Sequence, residues 1–308
     1  MQTRLESALD YLQERQLTSG QFATLASRTR NIVPSMSTFD SNVFTTALIA
    51  GVLQRIPDPR AQAMTEKSVS FLKKEMSTHG LWSFWTADSG RRIAADLDDT
   101  ACVSIVLRAS RAEVLDIRRI ILGNRDEFGR FYTWIRDASV NPFIDETPSH
   151  VRDNVDAAVN ANVLTYLGPG DHVNPVLALI RTALCEGDRR LFAYYLDSLT
   201  VAYFAARAFN AGVSDLASLQ REVATLTLRR FAEISSSSEV ISAACACYAM
   251  RSFRIADARR NKLESYLLDL QQEDRGWAAE AFFLGPAPIY GSSELTTAIV
   301  LDALWTFE

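Results

Sequence analysis

The sequence predicts an all-α protein, a closed ring of six helical hairpins forming an (α/α)6 barrel, with residues 1–308 as one domain. Three observations carry this expectation. Six stretches open on an acidic residue and then run almost wholly apolar, which is the pattern of a helix buried on most sides. Their acidic starts, at Asp40, Asp98, Asp156, Asp197, Glu239 and Glu294, recur at intervals of roughly 40 to 60 residues, the period of a helical hairpin. The last apolar stretch runs almost to the end of the chain through Leu301-Asp302-Ala303-Leu304-Trp305, without the polar cap an open solenoid needs, so the ring closes on its first hairpin.

Each element follows from local pattern. Leu5 to Leu12 places apolar residues at helical spacing, and Ser19-Gly20 ends that helix. Phe39 to Ala50 opens the first buried helix, and the amphipathic stretch from Arg60 to Met76 returns along the outside. The alternation then repeats. Buried helices are expected at Asp98 to Leu107, Asn154 to Leu164, Tyr195 to Tyr203, Ser238 to Cys245 and Ser293 to Val300. Outer helices are expected at Arg111 to Ile121, Pro175 to Cys185, Ser214 to Phe231 and Ile255 to Leu270. Strand signals are thin, and the turn Leu167-Gly168-Pro169-Gly170 separates helices; the repeat continues across it, which argues against a domain boundary there.

Composition removes several classes of function. Apolar residues make up 48% of the chain, enough for a substantial core. Thirty-two Lys and Arg face 37 Asp and Glu for a net charge of −5, with no basic run to track a phosphate backbone, so nucleic acid is not an expected partner. Met1-Gln2-Thr3-Arg4-Leu5-Glu6 lacks the layout of a signal peptide, and no stretch approaches the roughly 20 apolar residues of a membrane span; a cytoplasmic protein is expected. Cys102, Cys185, Cys245 and Cys247 are scattered, and His79, His150 and His172 are isolated, so no metal site is expected from them.

The chemistry concentrates in Asp96-Leu97-Asp98-Asp99-Thr100-Ala101, three carboxylates in four positions immediately ahead of the apolar run 102–107. One Asp suffices to cap a helix. Three so close cannot all ionise cheaply, so at least one holds its proton above the ordinary Asp range. Three readings compete: a surface helix start with surplus charge, the Asp-x-Asp-x-Thr nucleophile motif of the haloacid dehalogenase phosphatases, and the Asp-x-Asp-Asp-Thr-Ala motif of class II terpene cyclases. The phosphatase motif must end a central β-strand, and Ser89 to Ala95 is too polar and alanine-rich for one. The cyclase motif opens a helix.

With these residues in view, nearly the whole chain resembles the terpenoid cyclase and squalene-hopene cyclase repeat family. Gln271-Gln272-Glu273-Asp274-Arg275-Gly276-Trp277 is similar to that family's Gln-to-Trp repeat, with Arg275 where Gly is usual, and Thr18 to Phe22 and His79 to Phe84 are weaker echoes. The resemblance implies a protonation-initiated cyclase acting on a linear isoprenoid, a C15 or C20 prenyl diphosphate. Asp98 is then the general acid, with Asp96 and Asp99 keeping it protonated and oriented. An alkene is a very weak base, so its donor must be a positioned carboxylic acid in a water-poor cavity. The carbocation is guided by aromatic faces. Trp82, Phe84 and Trp85 precede the acid, and Trp134, Tyr194, Tyr195, Trp277, Phe282 and Tyr290 stand near other helix starts, all expected as substrate-binding residues or as packing.

Asp156 and Asn160 share a helix face, with Asn154 and Asn162 nearby; these groups either hydrogen-bond the Asp98 carboxyl or tie the inner helices together. Protonation requires no cofactor. If the substrate carries a diphosphate, Mg²⁺ suits it, and Arg91, Arg92, Arg130 or Arg136 are candidates to meet the phosphates. Class II cyclases usually pair two helical domains and this chain has length for one, so an oligomer or a second chain is a candidate partner. Two alternatives stand: a non-catalytic isoprenoid or lipid carrier, and a phosphatase using Asp96 as nucleophile and Asp98 as acid.

Overall fold

Buried and half-buried helices alternate along this computed structural model, which describes residues 2–30, 32–237, 239–285 and 289–305, the side chains of 235–237 excepted. Helix α1 (Gln2–Arg15) turns Leu5, Ala8, Leu9 and Leu12 inward, whereas α2 (Phe44–Leu53) is buried at every position. Half-buried α3 (Pro59–Lys74) leads to buried α4 (Leu97–Ala109), and the short helices α5 (Arg118–Gly123) and α6 (Ser149–Arg152) lie in the connection to buried α7 (Ala157–Leu167). The remaining order is α8 (Val173–Glu186), α9 (Ser198–Asn210), α10 (Gln220–Ser237), α11 (Val240–Ser252), α12 (Ala258–Asp269) and α13 (Ser293–Leu304). The buried helices α2, α4, α7, α9, α11 and α13 each contact the next in this order, and α13 contacts α2. The cycle is closed.

Side-chain caps set most of the inner helix starts. Asp96, Asp156 and Asp197 each accept a backbone N–H of the first turn of α4, α7 and α9, and Ser292 does the same for α13. Glu239 gives α11 no such cap. The carboxylate of Glu280 supplies it from a distance, accepting Val240 N–H at 2.7 Å and Ile241 N–H at 2.9 Å. Ser238, the expected first residue of this helix, lies outside the described residues.

Four corners repeat one construction. Gly20, Gly80, Gly129 and Arg275 all adopt positive φ, at 91°, 74°, 83° and 78°, and each donates its N–H to the carbonyl three residues back. Two residues further on, an aromatic residue gives its N–H to a side chain of an inner helix. Phe22 pairs with Thr46 at 3.0 Å, Trp82 with Thr100 at 3.1 Å, Phe131 with Asn160 at 2.9 Å and Trp277 with Thr297 at 3.1 Å. The indoles of Trp82 and Trp277 both donate to the preceding outer helix, at Leu72 and Leu267. These tryptophans and Asn160 are stitches between layers.

Two expectations need correction. The chain is not purely helical, because β1 (Leu25–Ser27), β2 (Thr38–Phe39), β3 (Glu280–Leu284) and β4 (Ile289–Ser292) form an antiparallel sheet in the order β2-β1-β4-β3. Strands of two to five residues are too short to display alternation in a sequence. The sheet joins the loop after α1 to the segment ahead of α13. The expected outer helix over 111–121 is largely a loop: Arg111 adopts φ 56°, and only α5 is helical.

Candidate functional site

The acid motif approaches α4 as extended chain and is clamped before the helix begins. Leu97 N–H donates to Thr133 at 2.7 Å, Ile135 N–H to Ala95 at 3.2 Å, and the Asn141 amide brackets both segments, accepting from Ala95 N–H and donating to the carbonyls of Ala95 and Ile135. Asp96 then caps the helix through Asp99 N–H at 2.8 Å.

Asp98 lies in the first turn of α4, and its carboxyl is met by a side chain of α7 and by one from the loop ahead of α9. Asn162 of α7 donates its amide to Oδ1 at 2.7 Å, and Tyr195, ahead of α9, donates its hydroxyl to Oδ2. Burial pushes Asp98 up to about 8, helped by the charge of Asp96 and opposed by the Tyr195 and Asn162 donors. Burial also raises Asp96 to about 6. Asp99 is raised as well, by burial and then by Asp96, to which a side-chain hydrogen bond ties it. At neutral pH Asp98 therefore holds its proton. The Tyr195 and Asn162 bonds leave a lone pair on each Asp98 oxygen for it.

A cavity of about 520 Å³ opens in front of this carboxyl, within the range of small-molecule sites. Asp96, Asp98 and Asp99 line it together with the rings of Phe44, Phe84, Trp134, Tyr194, Tyr195 and Phe283. Phe283 meets Phe44 edge-on at 5.1 Å and Phe84 at 5.8 Å, so ring faces and edges are fixed by one another. The Trp134 indole donates to the Tyr194 hydroxyl at 2.8 Å. Arg92, Phe143, Glu146, Thr147 and Pro148 are also in the lining; Arg92 and Glu146 are exposed.

Of the residues expected from the sequence, Asp96, Asp98, Asp99, Phe84, Trp134, Tyr194 and Tyr195 line the cavity. Phe282 and Tyr290 stand behind it, against Tyr195 at 5.7 Å and Phe84 at 5.2 Å. Asp156 caps α7 and accepts Tyr194 N–H at 3.1 Å, which positions that tyrosine. Trp85 is turned away beneath Arg91, and Trp82, Trp277 and Asn160 belong to the corners. Phe44 and Phe283 went unnoticed in the sequence. Phe44 carried a signal as the first apolar residue of a buried helix; Phe283 lies on a strand too short to detect.

Most of the acidic helix starts other than Asp98 are engaged by neighbouring groups. Asp40 pairs with Arg91, Asp197 with Arg230 at 2.8 Å, and Asp156 with backbone N–H groups. Only the Asp96 to Asp99 cluster among them faces the cavity. The phosphatase reading is overturned, because Asp96 caps a helix where that chemistry needs the end of a central strand.

No family profile matches the sequence, and no curated protein sequence matches it. Solved structures do. The type II terpene cyclase MstE from Scytonema superposes with a TM-score of 0.74 at 15% identity, over 98% of this chain and 97% of that one. The fold is that of a type II terpene cyclase. A protein from Actinoplanes matches equally widely, with a TM-score of 0.73, 16% identity and 98% of each chain. An ent-copalyl diphosphate synthase from Streptomyces platensis matches with a TM-score of 0.53 and 14% identity, over 85% of this chain and 50% of that one. MstE variants of this fold have been solved with geranylgeranyl dihydroxybenzoate as substrate and with merosterolic acid A as product.

Within this terpene-cyclase fold, no group of three or more His, Cys, Asp or Glu is arranged to hold a metal ion among the described residues. The acidic cluster does not fit Mg²⁺. Both Asp98 oxygens accept protein hydrogen bonds, an Asp96 oxygen caps α4, and burial favours the protonated form of Asp98 where a cation needs bare carboxylates. No described helix is long and apolar enough to cross a membrane.

Proposed function

We propose that this protein is a protonation-initiated terpene cyclase acting on a linear isoprenoid of C15 or C20 length, with the described chain forming one (α/α)6 ring around its cavity. The observation that carries this reading is Asp98: a carboxyl at the cavity wall, held by donors from α7 and from the loop ahead of α9, and pushed up to about 8. Asp98 gives its proton to one carbon of a terminal alkene, forming a C–H bond and leaving the other carbon cationic. The next alkene attacks that carbon and closes a ring, and loss of a proton ends the sequence. Asp96 and Asp99 act behind Asp98: burial and the charge of Asp96 favour the protonated forms of Asp98 and Asp99, and a side-chain hydrogen bond ties Asp96 to Asp99.

The aromatic wall supports the same reading. Ring faces stabilise a cation by about 2 kcal/mol or more once water is excluded, without capturing it as a hydroxyl or carboxylate would. Phe44, Phe84, Tyr195 and Phe283 surround the acid with such faces. A lipid carrier needs the apolar wall but gives no account of a strongly bonded, proton-retaining carboxyl in it. Incubation of wild type and Asp98→Asn with geranylgeranyl-bearing compounds, followed by mass spectrometry, tests the proposal. Cyclised product from wild type alone is expected. Product from Asp98→Asn at the wild-type rate would sink it.

A further inference from the structure

We infer that the substrate of this site carries a single carboxylate as its polar head, not a diphosphate, and that Arg92 receives it. The inference rests on the cyclase reading and concerns the end of the molecule remote from Asp98. Arg92 is the one cationic side chain lining the cavity among the described residues. The residues outside that description, namely Met1, Asn31, Ser238, 286–288 and 306–308, include no Lys or Arg.

The other arginines considered for phosphates are committed elsewhere. Arg91 pairs with Asp40 and lies over the Trp85 ring, 4.3 Å from its centroid; Arg130 pairs with Asp126 at 2.7 Å; Arg136 lies over Tyr132 and 3.7 Å from Asp153. Arg92 makes no ion pair among the described residues, and its contact is with the Phe143 ring, whose centroid is 5.7 Å away. The fork is held and its donors are open.

Charge decides between heads. A diphosphate carries several negative charges, and phosphoryl sites meet them with clusters of Arg and Lys and with Mg²⁺. Here one arginine shares the lining with Glu146, and the acid cluster does not suit a divalent cation. Repulsion from Glu146 grows with the charge of the head, so a diphosphate is disfavoured more than a singly charged group. A carboxylate matches the planar guanidinium in a two-point bond and adds one negative charge to the lining, where a diphosphate adds two or three with no further cation in the described lining to meet them.

The test uses Asp98→Asn protein, in which ligand is not consumed, with tryptophan fluorescence reporting binding through Trp134. Kd is measured for geranylgeranoic acid, geranylgeranyl hydroxybenzoate, geranylgeraniol and geranylgeranyl diphosphate with and without Mg²⁺, and again after adding Arg92→Ala. The carboxylates are expected to bind at least 10-fold more tightly than the diphosphate, and Arg92→Ala to weaken them about 10-fold while changing the alcohol less than twofold. Tighter binding of the diphosphate under either condition overturns the inference, as does equal loss of acid and alcohol on removing Arg92. Turnover by wild type separates the two claims. Preferred conversion of the diphosphate sinks the head-group inference alone; carboxylates that bind as expected but are never cyclised sink the cyclase reading alone.

Discussion

Replacing Tyr195 with Phe removes a single hydroxyl, and its consequence for Asp98 has a definite sign. The hydroxyl donates to Asp98 Oδ2 and so stabilises the ionised carboxyl. A hydrogen bond to a charged group is worth about 1.5–3 kcal/mol, or about 1–2 pKa units, so Asp98 should move from about 8 to roughly 9 or 10 in the variant. Protonation requires the acid form. Activity is therefore present below the Asp98 pKa and lost above it, and the alkaline limb of the kcat profile should rise by the same amount. A weaker acid also transfers its proton more slowly. If half of the lost bond is expressed in the transition state, kcat on the plateau falls by roughly 3- to 13-fold. Steady-state kinetics from pH 6 to 10 with an isoprenoid substrate gives both quantities. A merely structural role for Tyr195 predicts lower kcat with the limb unmoved; that result, or a limb shifted to lower pH, refutes the assignment of Asp98 as the acid.

Three further outcomes follow from the geometry. Asp98 holds its proton more tightly folded than unfolded, so its contribution to stability is complete below about pH 4 and is lost as pH rises through about 8. Asp98→Asn should thus melt close to wild type at pH 4 and at least several degrees higher at pH 9, and equal melting temperatures at pH 9 would remove the burial argument. Arg275 adopts φ 78° at a corner where three counterparts are glycine, and its bond to Glu14 is exposed. Arg275→Gly should raise the melting temperature by a few degrees; a decrease would mean that the surface pair outweighs backbone strain. Glu280→Ala leaves the N–H groups of Val240 and Ile241 without their acceptor, costing about 1–2 kcal/mol by chemical denaturation, with faster amide exchange confined to the start of α11.

Much of the architecture was legible because it is written in local pattern. Six apolar runs, each opened by an acid or a small polar cap, marked the inner helices, and spacing in the chain required a hairpin between each pair. The Asp96 to Asp99 cluster was visible for the same reason: three carboxylates in four positions are improbable and electrostatically costly wherever they fold. Even Arg275 stood out from the sequence, as a departure from the glycine usual in the Gln-to-Trp repeat, and the structure gives it positive φ.

What the tertiary structure alone decided is how the polar groups are paired. Asp98 meets Asn162 and Tyr195 across separations of 64 and 97 residues, and no periodicity predicts which of several buried amides and phenols will arrive at a given carboxyl. Asn160, two residues from Asn162, faces a corner loop instead, because successive helix positions turn by about 100° and the two amides address different neighbours. Tryptophans that read as candidates for a cation cavity likewise serve as stitches, their indoles taken by carbonyls ten residues back. Local pattern determines which face of a segment is buried; what that face is buried against is settled only when the ring closes, since the contact is made by residues the local pattern does not contain.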